Sequence, residues 1–386
     1  MKSKKLIFLT SQSLSSRNRE RFNVCHLNKN FDFEYWNIST LHSKNIPIEG
    51  DKKYETETET EIKINNFHSY FNFISAILKM PKDTYFIDIS SNHDLIFILL
   101  KNILFFRGAK FISIEVGSYV ETGNRSEFKT FFKKIFVKNY LISKILNNLR
   151  KISSFFIFYK YYHYFIGGSE SNTMLENIPK NKITYSHSLD YNDFFKLKNS
   201  EKPIQKNYIV YLDQKYLDHP DFELLKEPNY IEKNCYKYLK NFFEKISITQ
   251  KKEVIFCAHP RAKNDDEYLR DFKNIKFNET AIYTKHADLV LAHDSISINY
   301  PIIFKKPLII IIMPGMELSN QRDNLVLTGE LLGCEVIDLK DFHTIDFKKT
   351  YEVDEAKYDL YIKKYIKVKG DEIDSWEILS KELYKL

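Results

Sequence analysis

Short apolar runs punctuate the chain at Lys5–Leu9, Thr84–Ile89, Lys110–Val116, Tyr208–Leu212, Glu253–Ala258, Leu289–Ala292 and Pro307–Met313. They are continuous rather than alternating, the pattern of strands buried on both faces of a sheet. Weaker strand patterns lie at Phe31–Trp36, Tyr164–Ile166, Ile183–His187 and Glu335–Leu339. Helical spacing of apolar positions marks Asp94–Phe106, Tyr230–Ile246, Thr280–His286, Asp294–Phe304 and Ser375–Leu386, and a short helix is predicted at Glu170–Glu176. Strands alternating with helices predict parallel sheets covered on both faces. The rhythm is interrupted once, by the polar, lysine-rich stretch Asp190–Gln205, and then restarts. The fold class is therefore α/β, with two Rossmann-like units and a cleft between them. Residues 1–195 form the first unit, 205–370 the second, and 371–386 a terminal helix. The Glu/Thr alternation Glu55–Glu61 reads as a solvated edge or loop without a function.

Composition narrows the classes. A chain of 386 residues with 43% hydrophobic residues has ample core for two domains. Its net charge of +7 is too weak for its length to imply nucleic acid. The four cysteines, Cys25, Cys235, Cys257 and Cys334, are scattered and form no CxxC pair, which argues against zinc and disulfides and fits a reducing cytoplasm. The apolar run Leu6–Leu9 is too short for a signal peptide, and no segment reaches the roughly 20 apolar residues of a membrane span. One stretch departs from this even composition. Between Arg125 and Phe165 nine Lys and Arg stand against the single acid Glu127, with apolar residues at helical spacing and a Phe/Tyr cluster at Phe155–Tyr164. A basic amphipathic helix with aromatic ends suits an anionic membrane surface, and a helix packed on the sheet with its lysines in solvent is the plainer alternative.

In open parallel sheets ligands sit beyond the carboxyl ends of the strands, and four groups of residues stand there. His259-Pro260-Arg261 follows Glu253–Ala258; an Arg fork and a His donor suit a phosphate. His293, Ser295 and Ser297 follow Leu289–Ala292, where a helix start can bind an anion or simply be capped. Asp213-Gln214 follows Tyr208–Leu212, and Asp213 is a candidate general base. Ser186, His187 and Asp190 lie where the chain leaves the first unit, as candidates for lining the cleft. His219-Pro220 reads as a loop and Asp265-Asp266-Glu267 as a solvated helix start. No GxGxxG, Walker A, GxSxG, HExxH or strand-borne DxD pattern is present, which argues against dinucleotide oxidoreductases, P-loop enzymes, serine hydrolases and zinc proteases.

The order Asp213, His259-Pro260, then Ser295 and Ser297, on two α/β units, resembles bacterial glycosyltransferases of the GT-B type. The nearest likeness is to the sialyltransferase-like group that uses CMP-activated sugars. It covers Tyr208 to about Ile312. The resemblance implies an acidic residue that activates the acceptor, a His and serines that hold the CMP phosphate, and a final helix that crosses back to the first domain. It also implies transfer of a nonulosonic acid or related keto-sugar to a glycan acceptor during assembly of bacterial surface polysaccharide. The chain departs from that pattern in two places: Asp213 is followed by Gln214 where the group has a second acid and Gly, and the serine motif is Ser-Ile-Ser. No metal and no cofactor beyond the donor are expected, since a departing phosphate can be stabilised by His259 and Arg261. CDP-polyol phosphotransferases, UDP-sugar transferases and a non-catalytic assembly scaffold are the rival readings. Nucleic-acid binding through the basic stretch is disfavoured by its apolar content.

Overall fold

The structure, a computed structural model, describes residues 4–42, 62–90, 95–114, 117, 120, 134, 137–169, 178–219, 222 and 226–386. The Glu55–Glu61 alternation, the helix predicted at Glu170–Glu176, and Pro220, Arg125, Lys129 and Lys133 lie outside the described residues.

Among the described residues the first sheet has seven parallel strands: β1 (Lys5–Thr10), β2 (Asp32–Asn37), β3 (Lys63–Asn66), β4 (Tyr85–Asp88), β5 (Lys110–Ile114), β6 (Tyr161–Ile166) and β7 (Ile183–Tyr185). Their order is β3-β2-β1-β4-β5-β6-β7. The second sheet has six, again all parallel: β8 (Tyr208–Leu212), β9 (Glu253–Ala258), β10 (Ile275–Phe277), β11 (Leu289–Ala292), β12 (Leu308–Ile312) and β13 (Glu335–Asp338), in the order β10-β9-β8-β11-β12-β13. Every position of β8 and of β12 is buried, because helices cover both faces and leave no wet side for a polar residue. Strand order reverses at β1/β4 and at β8/β11, so each sheet opens a crevice beyond its carboxyl edge.

Several elements differ from expectation: the helix expected at Tyr230–Ile246 runs Cys235–Gln250, and Asp294–Phe304 is a 3-10 turn, Ile296–Ile298, followed by a short helix, Asn299–Ile303. The basic stretch is not one long helix. Its described part is the helix Tyr140–Ser154, a turn, and then β6, because the Phe/Tyr cluster feeds a strand. The expected linker Asp190–Gln205 begins as a helix, Leu189–Lys196, whose buried Leu189, Asp190 and Asn192 are masked in the sequence by polar neighbours. Weakly patterned β3 and β10 are edge strands that escape a search for apolar runs.

The chain ends on the domain where it began. Helix Ser375–Lys385 packs Trp376, Leu379 and Leu383 into the core around Phe8 and Phe22 of the first domain. The Trp376 ring lies 5.9 Å from Phe8 and 6.0 Å from Phe22, and its indole N–H donates to the Arg21 carbonyl at 2.9 Å. The returning chain is strapped down where Ser188 N donates to Ile366 O and Val368 N to Gly167 O, each at 3.0 Å. Gly168 permits that approach: a Cβ there would lie 2.1 Å from the Lys364 carbonyl oxygen.

Candidate functional site

The register Leu212↔Cys257 brings the ends of β8 and β9 side by side, with Asp213 beside His259. Asp213 is 4% exposed and its carboxylate is fully engaged. Oδ1 accepts the Lys215 backbone N–H at 3.0 Å. Oδ2 accepts the His259 backbone N–H at 3.1 Å and the Tyr268 hydroxyl at 2.7 Å. Burial pushes the carboxyl up and these donors pull it back part of the way. Asp213 thus ties the β8 exit to the loop that carries His259, and Gln214 beside it is half-buried.

His259 is half-buried at that junction. Its Nδ1 accepts the Arg261 backbone N–H at 3.2 Å, so the neutral ring carries its proton on Nε2 as a donor. Burial first, and then electrostatic interaction with His219, Arg261, Arg17 and Lys215, pushes the imidazole down to about 3. It is therefore neutral at physiological pH. The His219 ring meets it edge-on at 4.9 Å. Lys215 is steadied by ion pairing with Asp266, so Asp266 is not the solvated acid its sequence context suggests. Pro260, exposed, stiffens the turn between His259 and Arg261.

Arg17 comes from the other domain. It follows β1 in the short helix Ser16–Arg21, started by Ser15 accepting the Asn18 N–H at 3.2 Å. Its side chain keeps contact with solvent, yet the surrounding protein, together with Arg21 and Arg261, pushes it down to about 10. The groups that act on it come from both domains, Arg261 and Tyr300 from the second and Arg21 and Asp190 from the first, so it stands beside the boundary between them. The positive field to which Arg17 and Arg261 contribute thus helps keep the His259 ring uncharged, and a bound anion would meet that field with opposite charge.

A second cross-domain cluster adjoins the first. Asp190, 8% exposed, accepts from Asn299 Nδ2 at 3.3 Å. Burial raises its carboxyl to about 6, a rise helped by Asp193 and restrained by Arg21 and Arg17. The Tyr300 hydroxyl donates to Asp193 at 2.6 Å. Gly117, beyond β5, faces Ile296 of the second domain across this junction.

Several sequence candidates have other duties. His293 is not at the cleft: it is 0% exposed, its Nδ1–H donates to Ile311 O at 2.8 Å, and its Nε2 accepts the Tyr211 hydroxyl at 2.9 Å. Burial lowers it to about 4 and keeps it neutral. His187 is buried too, with Nε2 2.8 Å from Ile373 O and Nδ1 3.0 Å from Ser188 O; it anchors the returning chain, beside buried Ser186. Ser295 caps the short 3-10 turn Ile296–Ile298, accepting the Ser297 N–H at 3.2 Å and its hydroxyl at 2.9 Å. Both serines are half-buried. The residues that sequence reasoning missed are Arg17, Lys215, His219 and Tyr268. Arg17 had only a weak signal, a polar loop beyond a first buried strand. Among the described residues no three His, Cys, Asp or Glu side chains are grouped to hold a metal.

No family model matches the chain, and no curated protein is similar to it in sequence. Solved structures do share its fold. The H444N variant of the wall teichoic acid polymerase TagF has a TM-score of 0.55 at 9% identity, over 99% of this chain and 88% of that one. Methanocaldococcus jannaschii UDP-GlcNAc 2-epimerase, in complex with UDP-GlcNAc and UDP, scores 0.49 at 14% identity over 98% and 99%. The calicheamicin glycosyltransferase CalG4 scores 0.47 at 8% identity over 100% and 98%. The chain has two parallel-sheet α/β domains arranged as in the GT-B fold.

Proposed function

We propose that the chain is a nucleotide-sugar-dependent glycosyltransferase of bacterial surface polysaccharide assembly. The donor is a CMP-activated nonulosonic acid or related keto-sugar, and the acceptor is a glycan. The observation that carries this reading is that Arg17 of the first domain lies near enough to His259 and Arg261 of the second for its charge to act on both. In the step proposed, an acceptor hydroxyl attacks the anomeric carbon. The bond from that carbon to the phosphate oxygen breaks, and CMP leaves with the electron pair. Arg17, Arg261 and His259 Nε2–H stabilise the departing phosphate. The acceptor proton passes to a carboxylate. Asp190 suits that task better than Asp213, because its carboxyl titrates near 6 and so is ionised yet basic at neutral pH. Asp213, with both oxygens occupied, suits the positioning of His259.

A second reading is favoured by the charge. The two guanidiniums of Arg17 and Arg261 beside His259 would also suit a diphosphate, as in CDP-polyol phosphotransfer. TagF H444N has been soaked with CDPG, which fits this alternative. Melting temperature with CMP, CDP, UMP and UDP separates the readings, since a ligand of the native state raises it. A rise with CMP that Arg17→Gln abolishes supports the first. A rise with CDP alone favours polyol phosphate, and one with UDP alone a hexose donor. No rise with any of them overturns the assignment of a nucleotide site.

A further inference from the structure

Three neighbouring helices of the first domain, Tyr70–Lys79, Leu95–Phe106 and Tyr140–Ser154, are apolar on the wrong side. The first two have ordinary inner faces, with Phe73, Ile77, Phe97, Leu100 and Leu104 packed into the core beneath them, whereas the third buries only Ser153. Their outer faces carry large apolar residues as well. Among the described residues, every exposed large apolar side chain except Ile64, Ile248, Leu360 and Tyr384 lies on these three helices or on the turn 155–158 that follows them. Phe71, Phe106 and Phe155 are 80%, 72% and 83% exposed. Apolar patches of this extent mark an interaction surface.

The surface is built, not accidental. Arg107 donates to Leu78 O at 2.8 Å and ties the second helix to the first. Asn102, buried in the second helix, donates to Phe156 O at 2.7 Å and accepts the Phe158 and Tyr159 N–H groups at 2.9 and 3.0 Å. Lys101 beside it is buried against Asp88 at 2.7 Å. Asn102, one of the polar pair that interrupts this apolar helix, thus holds an aromatic turn outward.

The charge identifies the occupant. The chain has 51 Asp and Glu, yet these three helices and residues 155–160 contain none. They do expose Lys79, Lys144, Lys151 and Lys160. A second copy docked on this face would bring those cations against one another. An anionic bilayer would meet them with opposite charge while accepting the apolar side chains below the headgroups. The Leu95–Phe106 helix is apolar all round but far too short to span, so it would lie in the interface. We infer that this three-helix face seats the protein on the surface of an anionic lipid bilayer.

The test uses the full chain with Phe155→Trp as reporter, since Trp36 and Trp376 are buried and insensitive to the surface. Vesicles of mixed phosphatidylglycerol and phosphatidylcholine should shift its emission to the blue and carry the protein into the pellet; phosphatidylcholine alone should do so far less. Ile145→Asp with Phe155→Asp, at exposed positions, should weaken vesicle binding roughly tenfold or more while leaving the melting temperature unchanged. Nucleotide binding should survive in that variant, so failure here and failure of the transferase reading are separable. Protein remaining in the supernatant with both vesicle types overturns the inference. So does a dimer in solution in which the Phe155→Trp reporter is already blue-shifted without lipid, which would assign the face to a second copy.

Discussion

Asp213 and Asp190 are both deeply buried acids at the mouth of the cleft, one from each domain, and their surroundings differ in kind. Asp213 accepts three hydrogen bonds, all from the second domain, within 3.1 Å. Asp190 has one long contact, from Asn299 of the opposite domain, and two arginines near it. Both are raised by burial, but only Asp213 is surrounded by donors that its removal would strand. An acid tied off by its own domain holds a loop in place. An acid joined to the opposite domain by one long hydrogen bond, with two arginines of its own domain near it, is left to act on whatever enters there.

The largest expected effect is therefore on Asp213. Asp213→Ala leaves the His259 and Lys215 amides and the Tyr268 hydroxyl unpaired in a buried place. Each such group costs about 1–3 kcal/mol, so the variant should lose on the order of 4 kcal/mol in urea unfolding at neutral pH. A loss under about 1 kcal/mol would mean that the donors find other partners, and the contrast with Asp190 would collapse.

Asp190→Asn should have the opposite sign. A carboxyl raised from 3.8 to about 6 in the folded state binds its proton more tightly there than in the unfolded chain. The stability this confers is complete below about pH 4 and is lost as pH rises through 6. At pH 7.5 the ionised acid thus costs up to about 3 kcal/mol, which the amide removes. The variant should match the parent near pH 4 and exceed it at pH 7.5, while losing transfer activity. Equal stability at both pH values would show that the acid is not held in its costly form.

This contrast is only partly legible in the chain. The strands are plain, because Tyr208–Leu212 and Leu308–Ile312 are buried on both faces and need no alternation. The histidines are not. β9 and β11 are each an apolar run ending in His, yet His259 lines the cleft while His293 plugs the core. The Tyr211 hydroxyl and Ile311 carbonyl that occupy His293 come from neighbouring strands, which no local pattern reveals. Arg17 is hidden for the same reason: its meaning depends on Arg261, far along the chain, and a Ser/Arg loop looks like any solvated turn. Asp190 reads as part of a linker because Leu189 and Asn192, whose burial makes its segment a helix, are surrounded by polar residues.

The smallest effect sharpens the comparison most, because it separates holding the domains together from gripping a ligand. Tyr300 donates to Asp193 across the junction at 2.6 Å, next to Asp190. Tyr300→Phe keeps the ring and removes only that bond, so it should cost about 1 kcal/mol. The melting temperature of the free protein should fall by a few degrees, with the nucleotide-induced rise unchanged. Arg17→Gln should show the reverse, since an exposed cation repelled by its neighbours contributes little to folding: an unaltered free protein and a lost response to nucleotide. If Tyr300→Phe instead erased the nucleotide response, the grip on the anion would depend on domain registration. Arg17 would then act only when the junction around Asp190 and Asp193 is closed.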